Sequence, residues 1–245
     1  MPVVVRSTPR LEPMPRTREW TVALAVVMGL LAATPAGSQS AATAGLTASE
    51  LARLNAGDVV VKTEPYNTAD GTRAASAKAY SVINKPLESV WAVMLDYRKF
   101  QEFMPRLEKV AVLAQTRDTM KVTETLSVPL STLSYTVDLT FEPIRRRVSW
   151  KLDKSKPHDI ADTVGVWEFL PYPPNRTLVH YTTFVDTGLS VPKALENYLV
   201  KSDLPEVLLS LKRRTESDGA WKKERPVAGD SPGTAKALTG WLPGR

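Results

Sequence analysis

The chain has 245 residues, 43% hydrophobic and 24% charged, with 32 Lys+Arg against 26 Asp+Glu and no cysteine. That length can bury one ample core or two small ones, while the lack of cysteine excludes a disulfide scaffold, a cysteine nucleophile and a thiolate metal site. A formal charge of +6 is a mild bias toward anionic partners, well short of the dense basic tracts of nucleic-acid binders, so no nucleic acid is expected.

Residues 1–40 carry Arg6, Arg10, Arg16 and Arg18, then an apolar run from Trp20 to Ala33, then small residues through Ala36, Gly37 and Ser38. This is the order of a secretory signal. An apolar run of about 13 residues is short for a hydrocarbon core of about 30 Å, so a cleaved signal leads and a retained N-terminal anchor is the alternative. The expected location is periplasmic or extracellular, or at a membrane held by that segment. Without residues 1–40, which hold four arginines and two glutamates, 28 basic residues face 24 acidic ones, and the net charge falls to +4. Residues 41–57 read as a linker ending in a short helix that Ser49 and Glu50 open, Leu51 and Leu54 make apolar, and Gly57 stops.

The ordered domain is expected over 58–214, with strand candidates at 59–62 and 77–83. Pro86 then opens a helix whose Leu87, Val90, Trp91, Met94 and Leu95 share a face. A brief turn or helix at 98–103 ends at Met104-Pro105, because a residue before proline disfavours the helical region. Six β-rich segments follow, at 107–113, 120–128, 133–141, 147–152, 163–170 and 176–186. Tyr135, Val137, Leu139 and Phe141 alternate with polar Ser134, Thr136, Asp138 and Thr140, and Val148, Trp150 and Leu152 alternate with Arg147, Ser149 and Lys151. One dry side and one wet side is the pattern of antiparallel strands. Two helical pieces close the domain, 192–200 and one capped by Asp203 and Glu206 that carries Leu204, Val207, Leu208 and Leu211. The predicted fold class is α+β, a curved antiparallel sheet packed around a long C-terminal helix. The tail at 215–245, rich in Gly and Pro, is expected to be mobile, with Trp221 and Trp241 as potential docking points.

The stretch Val90-Trp91-Ala92-Val93-Met94-Leu95-Asp96-Tyr97, continuing through Phe100, Phe103-Met104-Pro105 and Leu107, resembles the opening of the START-related superfamily, which includes polyketide cyclase/dehydrase-like and coenzyme Q-binding proteins. Gly165-Val166-Trp167-Glu168-Phe169-Leu170-Pro171 and the terminal Leu208-Leu209-Ser210-Leu211-Lys212 strengthen the likeness, which spans 76–214. The resemblance implies a helix-grip fold and an apolar ligand such as a lipid, quinone, sterol or polyketide. It implies no universal catalytic set.

Candidate contacts for such a ligand are Tyr135, Val137, Leu139, Phe141, Val148 and Trp150 on the dry sheet face, with Trp167 from a later strand and Leu208 and Leu211 from the closing helix. Tyr97, Phe100, Phe103 and Met104 are placed as an adaptable lip, a task that suits aromatic and methionine side chains as well as ordinary packing does. Glu124 shares a face with Val122, Leu126 and Val128, and a carboxylate there needs a partner, a proton or a route to water. Glu124 and His180 are the weak catalytic candidates. Arg145, Arg146 and Arg147 read as a solvated turn or a headgroup contact. Two separated histidines make no zinc constellation, and no phosphate-cradling glycine loop is present, so neither metal nor cofactor is expected. The readings left open are a carrier of a hydrophobic small molecule with transient membrane contact, a cyclase or dehydratase acting on an aromatic or polyketide-like substrate, and a protein-interaction scaffold.

Met14 followed by Pro-Arg-Thr-Arg makes a more compact signal start than Met1. N-terminal sequencing of the precursor is expected to begin at Met14, and recovery of residues 1–13 would refute this.

Overall fold

Thr47 caps the first helix, α1 (Ala48–Ala56). Its hydroxyl accepts the Glu50 backbone N–H at 3.3 Å, and the Glu50 carboxylate accepts the Thr47 backbone N–H at 2.7 Å. Gly57, at φ 100°, ends the helix in a left-handed conformation that favours glycine. A computed structural model describes residues 43, 45–67, 73–128, 131–186 and 193–224. The leader at 1–40 and the tail from 225 onward, including Trp241, lie outside the described residues.

Eight strands follow α1: β1 (Val60–Asn67), β2 (Arg73–Ile83), β3 (Leu107–Gln115), β4 (Thr119–Val128), β5 (Ser131–Glu142), β6 (Arg147–Leu152), β7 (Asp162–Tyr172) and β8 (Arg176–Asp186). Between β2 and β3 run α2 (Leu87–Leu95), a single 3-10 turn (Tyr97–Lys99) and α3 (Phe100–Phe103), and the last helix is α4 (Lys193–Glu216). All strands pair antiparallel in one sheet of order β1-β2-β8-β7-β6-β5-β4-β3.

This order corrects the expected curved sheet packed around the terminal helix. The sheet is open, neither curled nor closed, with β1 and β3 as its two edges. Alternation reports which face of a strand is dry, but closure requires the outermost strands to find each other. Here β3 shifts register between Leu107 and Lys109 and again between Val112 and Ala114, and such irregularities interrupt an edge ladder. Helix α4 packs on β1 and β2 and against α2 and α3, so it covers one flank of the sheet.

A second correction concerns α4 itself. The two expected pieces are one continuous helix with Pro205 inside it. Asp203 does not cap a helix start; its carboxylate accepts both Nε and Nη2 of Arg106, at 2.7 and 3.1 Å. Glu206 accepts from Arg213 at 2.6 Å. Proline inside a helix removes one backbone bond, while Leu204, Leu208 and Leu211 bury themselves on the domain from the same segment.

The two faces of the sheet have separate cores. On one, Leu54 of α1 packs with Val60, Tyr80, Val82 and Leu178. The other, called here the inner face, packs against α2, α3 and α4 and holds most of the buried apolar side chains. Beyond α4, Trp221 packs on this core, Arg214 donates to the Trp221 carbonyl, and Lys223 Nζ donates to the carbonyls of Met104 and Leu107.

Gly165 is required sterically. The Trp150 indole lies flat over it, and a Cβ there would stand 2.1 Å from the ring and 2.5 Å from the Thr182 carbonyl oxygen. Gly165→Ala is therefore expected to destabilise the fold by about 1–3 kcal/mol, read as a lower denaturant midpoint. An unchanged midpoint would refute the close approach.

Candidate ligand-binding site

Strand β4 turns Val122, Glu124 and Leu126 toward the inner face, and the register sets Glu124 between Val110 of β3 and Tyr135 of β5. A buried acid among such neighbours needs donors. One comes from the 3-10 turn, where Tyr97 stacks on Phe100 with ring centres 4.2 Å apart and donates its hydroxyl to Glu124 Oε1 at 2.5 Å. The other is the Tyr135 hydroxyl, across the strand pair. Two hydroxyls, one from the helical crossover and one from the next strand, thus meet at one carboxyl.

Burial pushes the Glu124 carboxyl above its ordinary range, opposed by the Tyr97 and Tyr135 hydrogen bonds. Desolvation and the adjacent acid hold both of those phenols well above their ordinary values. Tyr181 is pushed up to about 12, first by desolvation and further by the charge of Glu124, against a hydrogen bond with Thr183. All three tyrosines therefore stay protonated as donors near neutral pH.

Beside this cluster lies an aromatic floor. Trp150 stacks on Tyr181 at 5.6 Å, Trp167 tilts against Tyr181 at 4.1 Å, and Trp167 stacks on Phe169 at 6.2 Å. The Trp150 Nε1 donates to the Thr163 hydroxyl at 3.3 Å, which fixes the indole over Gly165. Trp150, Tyr181, Tyr135, Leu126 and Val110 are only partly buried, so apolar surface remains exposed around the carboxyl.

The remaining sequence candidates divide by position. Val137, Leu139, Phe141, Val148 and Trp167 are buried inner-face residues in the same core as Leu208 and Leu211 of α4. Phe100, Phe103 and Met104 are also buried in that core and do not stand at a surface lip. Of the proposed lip, only Tyr97 bonds to Glu124.

His180 is on the other face. It pairs with Tyr80 and Glu168 in the ladders and meets the Tyr80 ring edge-on at 4.8 Å. The strand separates it from Glu124, so the two catalytic candidates do not converge. The alternation in β8 is apolar on both faces, which hid this until pairing with β2 and β7 set its orientation. The same ambiguity concealed Tyr181 as the neighbour of Glu124; a register assignment through Trp167 would have revealed it.

The arginine run is committed to ion pairs within the domain. Arg145 and Arg147 reach Glu142 at 3.1 and 2.5 Å, while Arg146 reaches Glu88 at 2.6 Å and lies over the Trp91 ring. Among the described residues, no group of three or more potential ligands could hold a metal ion.

Residues 83–212, more than half of the chain, match the family described as polyketide cyclase / dehydrase and lipid transport. The chain belongs to this family. It has the START-like helix-grip arrangement, here with an open sheet, and membership places it among proteins of hydrophobic-ligand binding, lipid transport or cyclase-type activity. No curated protein matches the sequence.

Three solved structures show the shared fold. A STAR-related lipid transfer protein from Xanthomonas axonopodis superposes with a TM-score of 0.54 at 18% identity, covering 65% of this chain and 94% of that one. The Zhui aromatase/cyclase from Streptomyces sp. R1128 gives 0.51 at 17% identity, covering 58% and 93%. Human StAR-related lipid transfer protein 5 gives 0.51 at 12% identity, covering 65% and 83%. At such identities the likeness concerns the fold alone.

The raised acid makes a pH prediction. A carboxyl whose folded pKa lies above its unfolded value binds more protons in the native state, so its contribution is favourable at low pH and is lost as pH rises through the folded pKa. Unfolding free energies of the wild type and Glu124→Gln, measured from about pH 4 to pH 8, should show the wild type losing stability relative to the variant as pH rises. A constant difference would refute the raised pKa.

Proposed function

We propose that this protein binds and carries a hydrophobic small molecule, of lipid, quinone, sterol or polyketide-like character, against the aromatic inner face of its sheet. The observation that carries this reading is Glu124, buried and held by Tyr97 and Tyr135 among valine, leucine and aromatic side chains. Apolar area supplies retention, at about 25 cal/mol for each Å² removed from water, and the polar cluster supplies orientation. The lipid-transfer names of two structural neighbours agree with a carrier role. The leader at 1–40 extends the proposal to a protein that works after export or at a membrane, where an apolar cargo is taken up and released.

A second reading is a cyclase or dehydratase, favoured by the same acid and by the aromatase/cyclase name of a third neighbour. An acid whose pKa burial raises, set beside two phenols, is suited to give and take a proton. His180, facing the other way, plays no part in such a mechanism.

Native mass spectrometry of the full chain after gentle purification is expected to show a bound hydrophobic molecule that organic extraction removes. Extracted protein should then bind apolar fluorescent probes saturably, and Trp150→Ala should weaken them by about tenfold. A chain that carries no adduct and binds no probe would overturn the proposal. Conversion of a bound aromatic polyketide-like substrate, abolished in Glu124→Gln, would favour the second reading.

A further inference from the structure

We infer that the ligand presents a neutral hydroxyl group to the Glu124, Tyr97 and Tyr135 cluster, and that the site discriminates against anionic heads and against heads that only accept hydrogen bonds. The inference rests on the binding reading above and names the class of molecule that the site takes.

Among the described residues, the inner-facing positions of β3 to β8 hold Glu124 and no lysine or arginine, and on β1 and β2 the one basic residue in that register is Arg73, at the start of β2. The nearby basic groups are committed at the margins: Arg106 to Asp203, Arg214 to Glu102 and the Trp221 carbonyl, and Lys223 to the carbonyls of Met104 and Leu107. A phosphate or carboxylate seated beside Glu124 would meet an acid and no compensating cation on β3 to β8, and an unpaired charge in a desolvated site is strongly unfavourable.

Hydrogen-bond capacity narrows the class further. An ionised carboxyl has about four acceptor sites, and the Tyr97 and Tyr135 hydroxyls occupy two of them. Both phenol protons are committed to Glu124, so the ionised cluster offers a newcomer acceptors and no donor. When Glu124 is protonated, the carboxyl has one proton to share. A hydroxyl serves both states, because it donates to the first and accepts from the second. An ether or ketone serves only the second, and an anion is repelled by the first.

The residues around the Glu124 carboxyl are not all enclosed. Val110, Leu126 and Tyr135, its immediate neighbours in the ladders, are half-buried, whereas Val122 and Val137, one rung further in, are fully enclosed. A hydroxyl seated at Glu124 would leave the attached hydrocarbon against Leu126, Tyr135 and the Trp150–Tyr181 stack.

The test uses the full chain at neutral pH, after organic extraction and refolding, with three probes of one ring system: β-naphthol, its methyl ether and β-naphthoate. Binding is read by fluorescence titration. The wild type is expected to prefer naphthol by at least about tenfold over the ether and by more over naphthoate. Glu124→Gln, close to isosteric and carrying an amide that donates as well as accepts, should bring naphthol and ether to within about threefold of each other. Trp150→Ala should weaken all three probes alike and keep their ranking, and circular dichroism of each variant checks the fold. If the ether or naphthoate binds the wild type as tightly as naphthol, this inference fails while the binding reading stands. If none of the three binds saturably, the binding reading fails and the inference falls with it.

Discussion

A carboxyl group on a dry face is a demand that the rest of the fold has to meet. Taking an acid out of water costs several kcal/mol unless donors replace the lost hydration, and strand β4 places Glu124 among valines, leucines and aromatic rings. Tyr135 reaches it across one strand pair. Tyr97 reaches it from the 3-10 turn between α2 and α3, and that bond ties the helical crossover to the sheet. Stacking of Tyr97 on Phe100, itself packed on Phe103, makes the turn rigid enough to hold the hydroxyl in place. One polar requirement therefore organises a segment that hydrophobic burial alone would leave free to slide.

The aromatic side of the same face follows from packing that leaves no slack. Trp150 can lie flat only because Gly165 has no side chain, and its indole in turn supports Tyr181 and, through it, Trp167. The result is a surface that is apolar, broad and stiff, next to a group that accepts hydrogen bonds. Across β4 and β5 the opposite face is polar, with Lys121 held between Asp138 and Asp153 and with Thr123 bonded to Thr136. Asp153, paired with Lys121 and Ser155, is held well below the ordinary carboxylate range, the reverse of Glu124. The two acids thus take opposite electrostatic settings, one desolvated without a cation and the other paired with a lysine.

An open sheet has two edges that must be kept from pairing with other chains. The register shifts in β3 and its exposed Glu108 and Lys109 break the regularity of one edge, a common protection for an exposed strand. At the other, α1 packs beside β1, and Lys62 of that strand pairs with Glu50. Family membership explains why this architecture is shared with lipid transfer proteins and an aromatase/cyclase. It does not select a cargo, because selection resides in particular side chains and not in the scaffold.

The order of elements, the dry faces of β5 and β6, the apolar side of α2 and the suspicion attached to Glu124 could all be read from local pattern, because periodicity and residue chemistry act within a few positions. The residues at 90–107 and 165–171 carried the family as well. What tertiary structure decided were relations between distant segments. Whether the sheet closes depends on its two edge strands, β1 and β3, which are far apart in the chain. Whether Pro205 splits the last helix depends on the burial around it and on Arg106 taking Asp203. Whether His180 or Tyr181 shares the face of Glu124 depends on strand pairing, since a shift of one residue inverts every side chain. The partners of Glu124 come from a turn 27 residues earlier and from the next strand, and no local signal specifies a hydrogen bond that only folding brings within reach.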